Sequence, residues 1–462
     1  MNRFLFNKLP KSIKRSIIMT KYSPPINRSM KDLDTSFFKK EIPLLLAFFP
    51  QPKFIGLFQK SCKSDILNID NIKPIINLRN SKAILLNDST KSINDLSIET
   101  QNLINQFNIK LEPYLLKLDY SFWKSDEILS SILPESLLHE IPTGFSQAGH
   151  LAHLNLKDEY KPYGKVIGQV LLDKNTSVKT VVNKLDSIEN KFRTFPLELL
   201  AGEPNYLVEQ KECNCKFKFD FSKVYWNSRL STEHERISNK FKKGDLIGDV
   251  MAGVGPFAIP SAKNNKSLVL ANDLNPESFK YLNENIKLNK VDSLVKSFNL
   301  DGREFIKNAF KLLKEWHISS NPIQLKSQEK VNNFKSQKIE QIEIPKFFHH
   351  FVMNLPDSAL SFVKEFIGLY QDEPQIKNLP NFKLPYIHVY TFIKFDQSEI
   401  DIITDIVLHK RLYDQLIELL DYKLNFEDIE FHKVRMVSPT KPMYCISFEL
   451  PEDVAFRNIK QT

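Results

Sequence analysis

The stretch Asp249-Val250-Met251-Ala252-Gly253-Val254-Gly255-Pro256-Phe257 holds residues whose types and spacing suit a binding loop. It follows Gly244-Asp245-Leu246-Ile247-Gly248, which reads as a turn and a short buried strand. A tight Gly-x-Gly at a strand's end lets the backbone approach a nucleotide-like ligand closely. Asp273 stands 18 residues after Gly255, at the end of a second apolar run, Ser267-Leu268-Val269-Leu270-Ala271. An acid in that place is set for ribose hydroxyls.

The loop alone leaves two readings open. A dinucleotide fingerprint wants a third glycine about three residues after the second; Ala258 stands there, an allowed replacement. The next acid favours a methyl donor. Asp301 ends a third strand-like run, 28 residues after Asp273, and one acid for the ribose with a second for the adenine amino group suits S-adenosylmethionine. Asn354-Leu355-Pro356 ends a fourth run, where main-chain and amide acceptors can orient a target nitrogen. The plain alternative for that tripeptide is a proline turn with a capping Asn.

The elements that must hold these residues alternate between strand and helix from about 220 to 462, as a parallel sheet requires. Asn275 and Pro276 form an N-cap and first helical residue, with Phe279, Leu282, Ile286 and Val291 as the buried stripe. A helix is expected over 305–316 and another over 402–420, with strands over 347–353 and 386–395. Two strands after the last helix, 433–437 and 443–448, are expected to close the sheet as a reversed hairpin. The polar stretch 317–345 reads as a mobile surface insertion. Upstream, 1–30 is a basic arm, 31–135 a small α/β domain and 136–219 a second α/β domain suited to RNA.

The chain has 462 residues, enough for two or three domains, and 42% are hydrophobic. A net charge of +9 suits a polyanion such as nucleic acid, although a Lys-rich surface gives the same number. Four cysteines make no disulfide framework, and Cys213-x-Cys215 reads as a hairpin rather than a metal site. No apolar run approaches the ~20 residues of a membrane span. Eight Lys or Arg precede the first acid, Asp32. With apolar residues between them they resemble a mitochondrial presequence, against a disordered basic arm. Met19 and Met30 as later starts would leave some product in the cytoplasm and nucleus.

Several segments together resemble the eukaryotic and archaeal tRNA (guanine(37)-N1)-methyltransferases. They are Ile141-Pro-Thr-Gly-Phe-Ser-Gln-Ala-Gly-His-Leu-Ala-His-Leu-Asn155, Phe192-Arg193-Thr194, Leu199-Leu-Ala-Gly-Glu203 and Val224-Tyr-Trp-Asn-Ser-Arg-Leu-Ser-Thr-Glu-His-Glu-Arg-Ile237, with the loop above, Asn272-Asp-Leu-Asn-Pro276 and Asn354-Leu-Pro356. The resemblance covers roughly 30–450 apart from the insertion. It implies an α/β, class I (Rossmann-like) S-adenosylmethionine-dependent methyltransferase domain preceded by smaller α/β RNA-binding domains, acting as a monomer. It implies methylation of N1 of guanosine 37 in cytoplasmic and mitochondrial tRNAs, in tRNA-Phe also the first step toward wybutosine.

By the same resemblance Arg193 contacts guanine O6, Glu233 is the general base, and Asn354 orients the base beside Pro356. His234, Asp273, Leu274, Asp301, Gly302 and Asn354 match methyl-donor contacts, joined by Gly253 and Gly255 of the loop. Asn227-Ser228-Arg229 departs from the archaeal Ser-Pro-Arg at a turn residue. The chemistry agrees: N1 must lose a proton to an acceptor while charge builds on O6, tasks for a carboxylate and a guanidinium. Glu233 also reads as a helix-face acid near Arg229 and Arg236, and Tyr225 and Trp226 as core residues that could stack on a base. The rival readings are an aminocarboxypropyl transferase of the wybutosine pathway, a tRNA-binding protein without catalysis, and a dehydrogenase.

Overall fold

The computed structural model describes residues 20–78, 81–185, 192, 194–320, 322–331 and 334–459; within 326–338 only the backbone is described. The chain divides into two compact units, 1–145 with 154–183 and 199–203, and 146–153 with 184–198 and 204–462. The segment 136–219, expected from sequence as one domain, is therefore shared between them.

The first unit is built on a four-stranded antiparallel sheet. Its order is Ile75–Leu78, Ser81–Leu85, Lys40–Phe49, Lys110–Leu118. Helices Ile55–Ser61 and Ile98–Gln106 supply Phe58 and Ile104 to a core with Phe49, Ile84 and Leu86. Ser97 caps the second helix by accepting from the Thr100 amide, as a Ser ahead of an apolar period should.

The second unit carries the sites singled out from sequence. Within it a hairpin pairs Leu207–Glu212 with Cys215–Asp220. Glu212 faces Cys215, so Cys213 and Asn214 are the whole turn, both left-handed at φ 47° and 60°. That is the backbone of a two-residue hairpin whose twist matches its strands, and it bears out the hairpin reading of the cysteines.

A seven-stranded sheet follows. Its strands are β1 Leu246–Asp249, β2 Leu268–Asn272, β3 Val295–Phe298, β4 His350–Met353, β5 Tyr386–Phe392, β6 Glu430–Ser438 and β7 Lys441–Glu449. The order is β3-β2-β1-β4-β5-β7-β6. The first five run parallel, and β7 is antiparallel to both its neighbours. The reversed hairpin expected from the last two strands is present. Strand order reverses between β1 and β4, where an open α/β sheet forms a ligand crevice beyond its carboxyl ends. Helices α1 Ser231–Ser238, α2 Ala258–Asn265, α3 Pro276–Leu288, α4 Gly302–Ser320 and α5 Asp405–Leu420 complete the frame.

Three expectations change. The inner stripe of α3 is Ser278, Tyr281, Leu282, Asn285 and Ile286, with Phe279 only half-buried. The reason is polar: Asn285 accepts from the Lys218 amide at 2.7 Å and donates to the Val254 carbonyl at 3.2 Å. The helix thus docks through side-chain hydrogen bonds as well as apolar contact. Helix α4 begins at Gly302, three residues earlier than the apolar period starts. The insertion is no structureless loop: Ile323–Val331 and Phe334–Ile342 form an antiparallel hairpin, from which Glu340 pairs with Lys243 and Lys266.

Candidate active site

Gly253 and Gly255 shape the turn after β1. Both have left-handed backbone, at φ 56° and 98°. A Cβ on Gly253 would meet nothing within 4 Å, so open space lies over this residue. A Cβ on Gly255 would stand 2.7 Å from Ile259 Cδ1 and 2.9 Å from Leu282 Cδ1, so only glycine lets α2 and α3 close around the turn. The Gly253 amide donates to Asp273 Oδ2 at 2.8 Å, and the Asn275 amide to Oδ1 at 2.9 Å. Burial raises the Asp273 carboxyl above its usual range, and these two amides with the Ser278 hydroxyl oppose the rise. The acid is thereby held at the end of β2 in one orientation.

Asp249, the last residue of β1, is fully buried, and neither carboxyl oxygen makes a hydrogen bond. Burial, then the charge of Asp273, push it up to about 8, against a smaller opposing pull from the Ala258 amide. The sequence placed Asp249 in the loop but assigned it no role; its burial depends on β4 and α2 closing over it. A second orphan stands at the end of β4. Asn354 Oδ1 is buried without a donor. The following turn is fixed by Leu355, whose carbonyl accepts from the Ser358 and Ala359 amides, and by Pro356, whose carbonyl accepts from the Phe392 amide at 3.0 Å.

Three residues beyond β3 rather than at its last position, Asp301 Oδ1 accepts from the Arg303 amide at 2.8 Å and so caps α4, leaving Oδ2 to other partners. Gly302 is buried; a Cβ there would lie 3.0 Å from Phe362 Cε1 and 3.1 Å from Val250 Cγ1. The Leu274 carbonyl accepts from Asn299 Nδ2 at 3.1 Å. Two orphaned buried groups, open space at Gly253 and acids at successive strand ends make a donor set that fits S-adenosylmethionine.

Glu233 and His234 sit side by side on α1 yet face different partners. Glu233 is 4% exposed. Arg236 grips it through Nε to Oε2 and Nη2 to Oε1, both at 2.7 Å. The Tyr390 hydroxyl donates to Oε1 at 2.7 Å, and His432 Nε2 stands 3.4 Å from Oε2. The i,i+3 pairing with Arg236 seen in the sequence is therefore present. A carboxylate has about four acceptor sites; two hydrogen bonds fall on Oε1 and one on Oε2, which His432 also approaches. His234 Nδ1 meets Glu212 Oε1 at 2.5 Å, and its ring lies edge-on to Phe257 with centroids 4.7 Å apart. Nothing in the sequence marked Glu212, Tyr390 or His432, because each reaches α1 only across strands distant in the chain.

Arg193 lies outside the described residues. Near it in sequence, Lys184 Nζ stands 4.7 Å from the Phe195 ring centre and 5.2 Å from that of Phe221, and burial pulls its ammonium down to about 8. Arg435 is lowered by burial and then by the neighbouring Arg229 guanidinium. Trp226 is buried as expected, but Tyr225 is 46% exposed.

The TRM5/TYW2 methyltransferase domain family matches residues 208–313, and the TYW2 N-terminal domain family matches 125–205. The tRNA (guanine(37)-N(1))-methyltransferase of Candida albicans is 63% identical over 452 residues, covering 96% of this chain and 100% of the relative. The protein of that name from Saccharomyces cerevisiae is 42% identical over 97% and 98%, and that from Schizosaccharomyces pombe 44% identical over 92% and 95%. Among solved structures, Trm5b from Pyrococcus abyssi superposes with TM-score 0.55 at 25% identity, covering 88% of this chain and 99% of that one. An archaeal-type Trm5 solved with tRNALeu has the same fold, at TM-score 0.56 and 22% identity over 88% and 100%. The gathering of Gly253, Asp273, Asp301 and Asn354 at one edge of a β3-β2-β1-β4-β5-β7-β6 sheet and the near full-length likeness to these fungal proteins agree, and the chain belongs to the tRNA (guanine(37)-N(1))-methyltransferase family.

Proposed function

We propose that this protein transfers a methyl group from S-adenosylmethionine to N1 of guanosine 37 in tRNA. The observation that carries the reading is Asn354 Oδ1, a buried acceptor without a donor at the strand-order reversal. Leaving such a group unpaired costs about 1–3 kcal/mol, and a guanine edge offers N–H donors to pair it. The bound donor supplies the methyl group. Asp273 and Gly253 hold its ribose end, Leu274, Asp301 and Gly302 its adenine end, and Gly255 and His234 shape the crevice between. Glu233 takes the N1 proton, and Arg193 stabilises the charge that develops on O6. Pro356 keeps the Asn354 turn rigid, so the base and the methyl group are aligned.

RNA contact is supported by Lys184, Arg229 and Arg435 beside the exposed Tyr225 ring. A cavity of about 680 Å³ next to Pro356, lined in part by Lys364, Phe392, Lys394 and Lys441, suits a flanking nucleotide. Incubation with labelled donor and unmodified tRNA, followed by mapping of the modified base, tests the reading. A product heavier than one methyl would favour an aminocarboxypropyl transferase, and no product a binding protein.

We infer further that the enzyme acts as a monomer in the mitochondrial matrix, cytoplasm and nucleus, and that in tRNA-Phe its product feeds wybutosine formation. The basic N-terminal residues before Asp32 support the mitochondrial share. Fractionation with N-terminal mapping tests the compartments, and sedimentation the monomer.

A further inference from the structure

Glu233 is carried by α1, a helix of only eight residues, so its place over the crevice depends on what reaches it from the sheet. Arg236 lies on the same helix, moves with it, and is shared with Glu430 at 3.2 Å. His432 stands on β6, the edge strand, and keeps 39% of its side chain exposed. Tyr390 differs from both. It projects from β5 inside the sheet and is fully buried. Its ring lies 5.9 Å from that of Phe257, the residue that leads from the glycine turn into α2. The same Phe257 ring abuts His234. One phenol thus joins the Glu233 carboxylate to the loop that holds the methyl donor.

The strand that carries the hydroxyl is pinned on both sides. Cys445 of β7 is the direct cross-strand neighbour of Tyr390, and two residues along, Ser447 faces His388. His388 Nδ1 meets Ser447 Oγ at 2.8 Å and its Nε2 meets His350 Nδ1 at 3.2 Å, with Asp245 3.6 Å beyond. A polar seam therefore runs across β4, β5 and β7, and its members limit one another's orientation. Burial and the nearby Cys445 and Glu233 hold the phenol protonated, so it acts as a donor without adding charge.

We propose that Tyr390 is a positioning residue for methyl transfer: its hydroxyl fixes the Glu233 carboxylate against the sheet in the orientation that meets the substrate nitrogen. The inference rests on the reading of Glu233 as the base. Losing the hydroxyl leaves the ring, the apolar packing and the Arg236 pair in place, but lets the carboxylate and its guanidinium shift together with α1 relative to the sheet. Misplacement by about 1 Å is enough to cost roughly 100-fold in rate.

The test is single-turnover methyl transfer to unmodified tRNA by the full chain, with Tyr390→Phe, Glu233→Gln and the double variant. Tyr390→Phe is expected to slow transfer roughly 10- to 100-fold, with donor and tRNA dissociation constants unchanged. The double variant should be no slower than Glu233→Gln alone, because the hydroxyl acts only through the carboxylate. A slow Glu233→Gln beside a Tyr390→Phe of wild-type rate overturns the role of Tyr390 and leaves the base intact. Additive losses in the double variant, or a loss in Tyr390→Phe that follows weakened donor binding or a lowered melting temperature, also overturn it. A Glu233→Gln enzyme of wild-type rate overturns the base itself.

Discussion

The Gly253 amide donates to Asp273 Oδ2 at 2.8 Å, joining the turn after β1 to the residue after β2. The bond fixes the acid and the glycine turn together, so Asp273, the proposed ribose contact, and the open space beside it form one corner. Asp273→Ala removes both the acceptor and the proposed ribose contact. Donor affinity should fall about 10- to 100-fold, which is ~1.4–2.8 kcal/mol; equilibrium binding of labelled donor measures it. Unaltered affinity would contradict the role of Asp273.

Asp249 carries a pH signature. Its carboxyl is pushed up to about 8 in the folded protein, from an ordinary value near 3.8. Between those values the folded chain binds a proton that the unfolded chain has lost. This contribution to stability is full below pH ~4 and is lost as pH rises through ~8. Asp249→Asn, neutral at every pH, should gain stability over wild type steadily across that window and gain little at pH 4. Thermal unfolding without donor, repeated from pH 4 to 8.5, checks this; a pH-independent difference would remove Asp249 as the source.

Glu233→Gln keeps a side chain of the same shape but removes the proton acceptor. Single-turnover transfer should fall by roughly 10²- to 10⁴-fold, with donor affinity changed less than about twofold. Rapid-quench measurement with labelled donor separates the two effects.

Asn354→Ala deletes a buried acceptor that has no partner in the free protein. The free protein should lose no more than ~1 kcal/mol, whereas kcat/KM for tRNA should drop at least tenfold. Denaturant unfolding alongside steady-state kinetics gives both numbers, and equal losses in stability and activity would assign Asn354 to the fold alone.

Arg435→Ala removes a guanidinium that stands beside Arg229. Binding of tRNA should weaken, and the slope of log affinity against log salt should shrink by about one. Donor affinity should stay constant. A salt series of filter-binding curves reads the slope directly.

Sequence determined a good deal of this protein unaided, wherever the information is local. Gly253-x-Gly255 demanded left-handed backbone at a strand end, and both residues adopt it. Asn275-Pro276 announced the start of α3, and the Asn275 side chain does accept from the Glu277 amide. Asp273 and Asp301 follow apolar runs of strand length, so period and spacing alone put them at neighbouring strand ends. Residues whose meaning lies across the sheet were a different matter. Tyr390 and His388 read as parts of an apolar strand, Phe279 as a buried helical residue, and Asp249 as a loop acid with no office. Only tertiary structure brought Tyr390 to Glu233 across 157 positions of chain, and Glu212 to His234. It also enclosed Asp249 where water cannot reach it. The physical reason is that turns and caps are satisfied by neighbours in the chain, whereas burial and long-range hydrogen bonds exist only once separate strands and helices have packed.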